Sequence, residues 1–274
     1  MFIRCIRRSL AIGATLLPFV AAGIPGSVLA QDAPGALGGC LALPDEAALK
    51  AALATAVSAE TTGLNLQSWA TIVSRSGVVC AVAYSGKSRG SQWPGSRVIS
   101  AQKANTANDF SLDASSYSQG SGAQTGLALS TANLYSPVQP GGSLFGLQES
   151  NPVDTRVAYA GLEELFGTSA DPMVGHRIGG VNVFGGGLAL YGPGEKIIGG
   201  VGTSGDTSCA DHRITWRLRN ALGLDHLGNV AGVSGDPQRP DNIIYLAQGE
   251  APNGFKHPNC GGGDDPATLA PVQQ

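Results

Sequence analysis

Gly179 to Asp211, reading GGVNVFGGGLALYGPGEKIIGGVGTSGDTSCAD, constrains this chain more than any other stretch. Apolar runs near Gly180–Phe184, Leu188–Tyr191 and Lys196–Val201 read as strands, joined through Gly192-Pro193-Gly194-Glu195, a good turn sequence. Glycines then lead into a helix that opens between Asp206 and Asp211, runs to about Leu222 and stops at Gly223. Strands, a tight elbow and a helix must therefore follow one another with almost no loop between them.

Gly200-Val201-Gly202-Thr203-Ser204-Gly205 fits G-x-G-x-x-G, and an acid, Asp225, lies twenty residues past Gly205, as in a dinucleotide fingerprint. Nearly all of the fold precedes the motif, however, and too little chain remains for the parallel strands such a domain needs. The stretch reads instead as a strand-to-helix elbow with exposed backbone N–H groups, Ser204 or Asp206 capping the helix. Such an elbow can hold a carboxylate.

The elements before it suit a sheet built around this stretch. Asp45 to about Ala59 is a helix with acids in its first turn. Ser68–Ser74 and Val78–Tyr84, around Ser76-Gly77, read as a hairpin. Arg97–Phe110 reads as a second helix with Ile99, Ala101, Ala104, Ala107 and Phe110 inward. From 111 to 152 the pattern lapses into Ser, Gly, Gln and Asn, with islands at Leu134-Tyr135 and Leu144–Leu147 that imply packing. Tyr135, Phe145 and Trp93 read as pins for long loops. A short helix over Asp154–Phe166 follows. This order favours an α+β sandwich on a mostly antiparallel sheet, in a single domain.

At the N-terminus, Arg4, Arg7 and Arg8, an apolar run from Leu10 to about Ala22 and Val28-Leu29-Ala30 form a secretory signal peptide over residues 1–30, cut after Ala30, that removes Cys5. No other apolar run approaches spanning length, so no membrane span is expected after cleavage. The protein is expected to be periplasmic or secreted. Without those three arginines the chain has 14 basic against 20 acidic residues, a net charge of −6. That balance offers no basic surface for nucleic acid. Cys40, Cys80, Cys209 and Cys260 remain, with three possible pairings and no C-x-x-C. Cys40 and Cys260 lie beside glycines, outside the periodic segments, and are expected to clamp the two terminal extensions. Cys80 and Cys209 are left as a second pair or as buried thiols.

Trp69 to Tyr84, the helix carrying Ala101-Gln102-Lys103-Ala104-Asn105-Thr106-Ala107, the Gly179-Gly180 pair, Ile198 to Asp206, and Asp211 opening the last helix resemble the GlcG/HbpS-like haem-binding (haem-degrading) family. The resemblance spans about residues 45–225. An N-terminal extension (31–44), the insert (about 111–152) and an irregular C-terminal extension (226–274) with a frayed end lie outside its pattern. So do Ser74-Arg75-Ser76-Gly77 in the first hairpin and Asn182-Val183 after the glycine pair. The resemblance implies a profilin-like fold, binding of haem (heme) or a small carboxylate ligand, and assembly into homo-oligomers.

For haem, an iron ligand is needed, and imidazole is the commonest. Among His176, His212, His226 and His257, the first two lie nearest the elbow and are the expected metal ligands, with Arg177 as a propionate partner. Lys103 and Thr106, on one face of the second helix, are expected to face the pocket with Gly202, Ser204, Gly205, Asp206 and Asp211. No C-x-x-C-H, H-E-x-x-H or G-x-S-x-G is present. Two other readings remain: an enzyme acting on a small hydroxy or oxo acid or degrading haem, which a convergence of Lys103, Asp206 and Asp211 would favour, and an assembly module using the insert as its interface.

Overall fold

The computed structural model of the protein describes residues 36–117 and 125–274. The expected signal peptide lies outside the described residues, as do 31–35 of the N-terminal extension and 118–124 of the insert. Among the described residues no helix is long and apolar enough to cross a membrane.

Four antiparallel strands form the central sheet: β1 (Trp69–Ser74), β2 (Val79–Tyr84), β5 (Gly187–Gly192) and β6 (Lys196–Ser204), in the order β2-β1-β6-β5. A small ribbon, β3 (Leu112–Tyr117) with β4 (Thr125–Leu127), lies in the insert. Side chains alternate between faces along each strand, and both faces are covered. Ala70 and Ile72 of β1, Ala81 and Ala83 of β2, Leu188 and Leu190 of β5 and Val201 of β6 pack against Leu49 and Leu53 of α1 (Glu46–Ser58) and Ile214 and Leu218 of α5 (Ser208–Ala221). On the opposite face Trp69, Val73, Val79 and Val82 pack against Val98, Ala101 and Ala104 of α2 (Ser96–Asp109). The fold is mixed α+β with an antiparallel sheet, as the sequence implied.

Glycine has a different role in β6 from the one its motif suggested. Gly200 to Ser204 are part of the strand, and the elbow is only Gly205 to Thr207. A Cβ at Gly200 would come within 3.0 Å of the Ala104 carbonyl oxygen, and one at Gly202 equally close to that of Ser100. Gly187 on β5 stands in the same relation to the Lys103 carbonyl. Bare backbone on this side of β5 and β6 lets α2 lie directly on the sheet, and it buries α2 nearly all round. Ile99 and Phe110, expected inward, are only half-buried, while Val98 and Ser100 are buried.

Other expectations need correction. Gly180–Phe184 is not a strand: Gly179 and Gly180 take left-handed φ of 59° and 82°, which breaks any ladder. Val181 and Val183 instead pack against Leu129, Leu134 and Val138, so the insert is a packed lobe. The helix expected over Asp154–Phe166 is two pieces, α4 (Thr155–Ala158) and a single turn at Glu163–Leu165, separated by Gly161 at φ 79°. A further short turn, α3 (Leu147–Ser150), lies in the insert. Trp93 and Phe145 stay 51% and 67% exposed and pin nothing.

The cysteines pair as Cys40–Cys80 and Cys209–Cys260, with Cα separations of 5.4 and 6.0 Å. Cys40 with Cys260 is therefore incorrect. The residues before α1 return to β2, while the tail crosses the start of α5, so each terminal segment is clamped to its own part of the core. Nor does the C-terminal extension fray: Leu227, Val230, Leu269 and Val272 join the α1/α5 core layer. Arg219 of α5 meets Asp241 in a buried ion pair of 2.6 Å, and Gln273 N donates to Asp225 O at 3.0 Å.

If close helix contact is what β6 glycine provides, Gly202→Ala should cost about 1–3 kcal/mol of stability through overpacking. Gly90→Ala, with open space at its Cβ, should stay within about 0.5 kcal/mol of wild type. Urea midpoints of the two variants check this.

Candidate functional site

Of the residues singled out by sequence, Lys103, Gly202, Asp206 and Asp211 converge where α2 crosses the end of β6 and the start of α5, while His176 and Arg177 do not. Lys103 Nζ lies 2.8 Å from Asp211 Oδ2, donates to the Thr203 carbonyl at 3.0 Å and sits 4.4 Å from the Phe184 ring centroid. Asp211 Oδ1 accepts the Asp206 backbone N–H at 3.0 Å. Glycine shapes this arrangement too: a Cβ at Gly186 would meet Lys103 Nζ at 2.8 Å.

The cluster is sealed. The Lys103 and Asp211 side chains are 0% and 1% exposed. Burial pushes the Asp211 carboxyl up to about 6 despite the attraction of Lys103, and it pulls the Lys103 amine down. The pair is stressed by desolvation, as buried ion pairs are. Asp206 turns its carboxylate away from the lysine, accepting Leu64 N at 2.7 Å and Leu66 N at 2.9 Å. Lys103, Asp206 and Asp211 thus converge through a backbone N–H, with no opening through which a substrate could reach the amine.

The other expected ligand residues are also satisfied from within. Thr106 Oγ1 donates to Gln102 O and accepts Asn182 N at 2.9 Å. Gly202 lies under α2, and a Cβ at Gly205 would strike the Gln67 carbonyl. Ser204 Oγ meets Ser96 Oγ at 3.1 Å, and the α5 cap is Thr207, whose hydroxyl accepts Ala210 N at 3.2 Å, rather than Ser204 or Asp206. The protein's own carboxylates fill the expected cradle: Asp211 Oδ1 accepts the Asp206 N–H at 3.0 Å and Asp206 Oδ1 that of Thr207 at 2.6 Å.

The two histidines expected to bind metal differ sharply. His212 is fully buried, its Nε2 3.1 Å from Asn242 Oδ1 and 3.2 Å from Ile243 N. Burial pushes it down to about 4, so it is neutral near pH 7. An iron cannot reach it without displacing the tail. His176 is exposed, on a strap that extends the sheet past β2: Val79 N donates to His176 O at 2.8 Å and Gly175 N to Val79 O at 2.9 Å. Arg177, also exposed, donates from Nε to Ser76 O at 2.7 Å. Two residues further on, Gly179–Val181 line a cleft of about 520 Å³ with Asn105, Asp109, Phe110 and residues 150–152, a volume within the usual range for a small-molecule site. His176 and Arg177, consecutive and both exposed, carry the imidazole and guanidinium that a metal-bearing ligand with carboxylate arms would call for, whereas the Lys103 cluster is sealed. Sequence reasoning missed Asn242 and Ile243, because nothing in the irregular tail signals that it covers α5.

Removing one partner of the sealed pair strands the other charge. Lys103→Met should destabilise by about 3–5 kcal/mol, and Lys103→Met with Asp211→Leu by clearly less, in urea unfolding.

The pH dependence has a defined sign. His212 is held below its ordinary value of 6.5, so its contribution is complete above pH 6.5 and lost as pH falls towards 4. That loss amounts to about 3 kcal/mol. Asp211, raised to about 6, acts in the opposite sense over the lower part of this range. The difference between wild type and His212→Gln isolates the histidine: the variant should lose about 3 kcal/mol less on acidification, as urea melts at each pH will show.

No curated protein matches the chain. The chain is similar to several solved structures. One is the Klebsiella pneumoniae protein ORFY of family DUF336, with 24% identity and a TM-score of 0.39, over 65% of this chain and 88% of that one. Another is a PduOC:heme complex, with 20% identity and a TM-score of 0.41, over 64% and 90%. The model of the family described as haem degrading protein HbpS-like matches residues 43–217, from just before α1 to within α5, and the chain belongs to that family.

Proposed function

We propose that the protein is an exported haem-binding protein of the HbpS-like type, in which His176 offers its imidazole to the iron and Arg177 pairs with a propionate. The family match over residues 43–217 carries this reading. Exposure supports the choice of residue: of the two histidines expected to bind metal, His176 is exposed and His212 is enclosed. Bound haem would supply an iron centre able to exchange electrons or small axial ligands. The chain's part is to present an exposed imidazole and an exposed guanidinium on the strap that runs along β2. The basic head, apolar run and Ala30 end of residues 1–30 support export. The reading as an enzyme of small acids gains nothing from Lys103 and Asp211, which have no route to solvent.

Haemin titration of the mature chain, followed by the Soret band, tests this. Wild type should saturate with a shifted band. His176→Ala should lose the shift or weaken binding by at least about tenfold, and Arg177→Gln should weaken it less. His212→Gln should bind as wild type does. No saturable shift in wild type, or an unchanged spectrum in His176→Ala, would overturn the assignment.

A further inference from the structure

Where the tail crosses the start of α5, the Sγ atoms of Cys209 and Cys260 and a ring nitrogen of His257 all lie within 4.8 Å of one another. We propose that, once the Cys209–Cys260 disulfide is reduced, these three residues form a binding site for a thiolate-seeking cation such as Zn²⁺. The site is redox-gated, because disulfide and metal complex compete for the same two sulfurs. This proposal is independent of haem and of His176.

His257 is prepared as a ligand. Its Nδ1 lies 2.7 Å from Pro258 O, which fixes the proton there and leaves the Nε2 lone pair for the cluster. Nε2 in turn lies 3.2 Å from Ser208 Oγ. The residue is buried, and its backbone is tied to the neighbouring tail segment by His257 N to Ile244 O at 2.7 Å and Leu246 N to His257 O at 2.9 Å. Ordering of the imidazole therefore precedes any metal. Ser208 Oγ also lies 3.6 Å from Cys260 Sγ, at the edge of the cluster. A tetrahedral zinc with Zn–S of about 2.3 Å and Zn–N of about 2.0 Å holds its ligand atoms roughly 3.5–3.8 Å apart. That spacing lies inside the 4.8 Å within which the three ligand atoms already stand, and the two sulfurs must separate to reach it.

The start of α5 favours the thiolate state. Cys209 lies in the first turn of this helix, and its N–H donates to Cys260 Sγ at 3.3 Å. Anionic sulfur is stabilised in that setting. Cys260 is exposed while Cys209 is buried, so an incoming thiolate reaches the Cys260 sulfur first.

The reductant is a dithiol. Its thiolate bonds to Cys260 Sγ, the Cys209–Cys260 bond breaks and Cys209 leaves as a thiolate. The second thiol of the reductant then attacks the mixed disulfide, releases Cys260 and closes its own disulfide. Two electrons pass from the dithiol to the cysteine pair, which ends as two thiols. Binding of M²⁺ to two thiolates and a neutral imidazole releases their two protons.

The test uses the mature chain carrying Cys40→Ser and Cys80→Ser, so that only this pair responds. After anaerobic reduction with an immobilised phosphine, Co²⁺ is titrated in. One equivalent should produce thiolate-to-cobalt charge-transfer bands and four-coordinate d–d bands, both erased by Zn²⁺. The oxidised protein should show neither. His257→Ala should weaken Co²⁺ binding by more than about tenfold, the loss typical of even an outer-shell change. Absence of the charge-transfer band from the reduced protein would overturn the proposal. So would bands and affinity unchanged in His257→Ala, or a reduced protein that loses its far-ultraviolet dichroism and does not regain it with Zn²⁺.

Discussion

The structure depends on the direct contact between the backbone of α2 and the bare glycine face of β5 and β6. With Gly187, Gly200 and Gly202 under Lys103, Ala104 and Ser100, the helix approaches until carbonyl oxygens fill the space of absent side chains. That closeness sets the path of Lys103. Held against the sheet and unobstructed by any Cβ at Gly186, its chain reaches Asp211 at the start of α5. The pair thereby links the helix layers on the two sides of the sheet. Its two charges cost desolvation, and neither pKa shift indicates that attraction fully offsets it. What the pair supplies is position: Asp211 also holds the Asp206 N–H, and Asp206 holds Leu64 and Leu66. One buried contact thus fixes α2, the elbow and the segment leading into β1.

A centre this closed leaves binding chemistry to the margins. The strap bearing His176 and Arg177 runs along the outer side of β2, and the Cys209, His257 and Cys260 cluster lies where the tail crosses α5. Both are places where irregular chain is laid on a regular element, which leaves His176, Arg177 and Cys260 exposed while Cys209 and His257 are covered.

Much of the fold was legible because it follows from periodicity. The Asp45 cap with Leu49 and Leu53, the hairpin around Ser76-Gly77 and the alanine face of α2 each carry a local signal that tertiary structure does not overturn. The glycine elbow misled because G-x-G-x-x-G records where a Cβ is forbidden, without recording what forbids it. A phosphate, a carboxylate and a packed helix impose the same demand on backbone. Here the excluded space at Gly200 and Gly202 belongs to α2, and the alanines of α2 are the complementary half of that signal. The disulfides were opaque for another reason. Pairing depends on where irregular segments run, and neither the chain before α1 nor the tail has periodicity to trace.

The tail decides what the candidate site can be. His212 lies inside the family-matched residues 43–217, whereas Asn242 and Ile243, which enclose its Nε2, lie beyond them. Among the described residues, both partners of that nitrogen come from the tail. The tail converts it into a buried, neutral group and ties itself down over it through Arg219–Asp241, Leu269 and Val272. Iron binding at His212 would therefore require releasing Asn242 and Ile243 from the imidazole and stranding Arg219 or Asp241 as a buried charge, a cost of several kcal/mol. His176 lies exposed on a strap whose backbone is bonded to β2, so reaching it does not require lifting the tail. Two histidines that look equivalent in sequence are separated by the energy of lifting a segment that lies outside the family pattern.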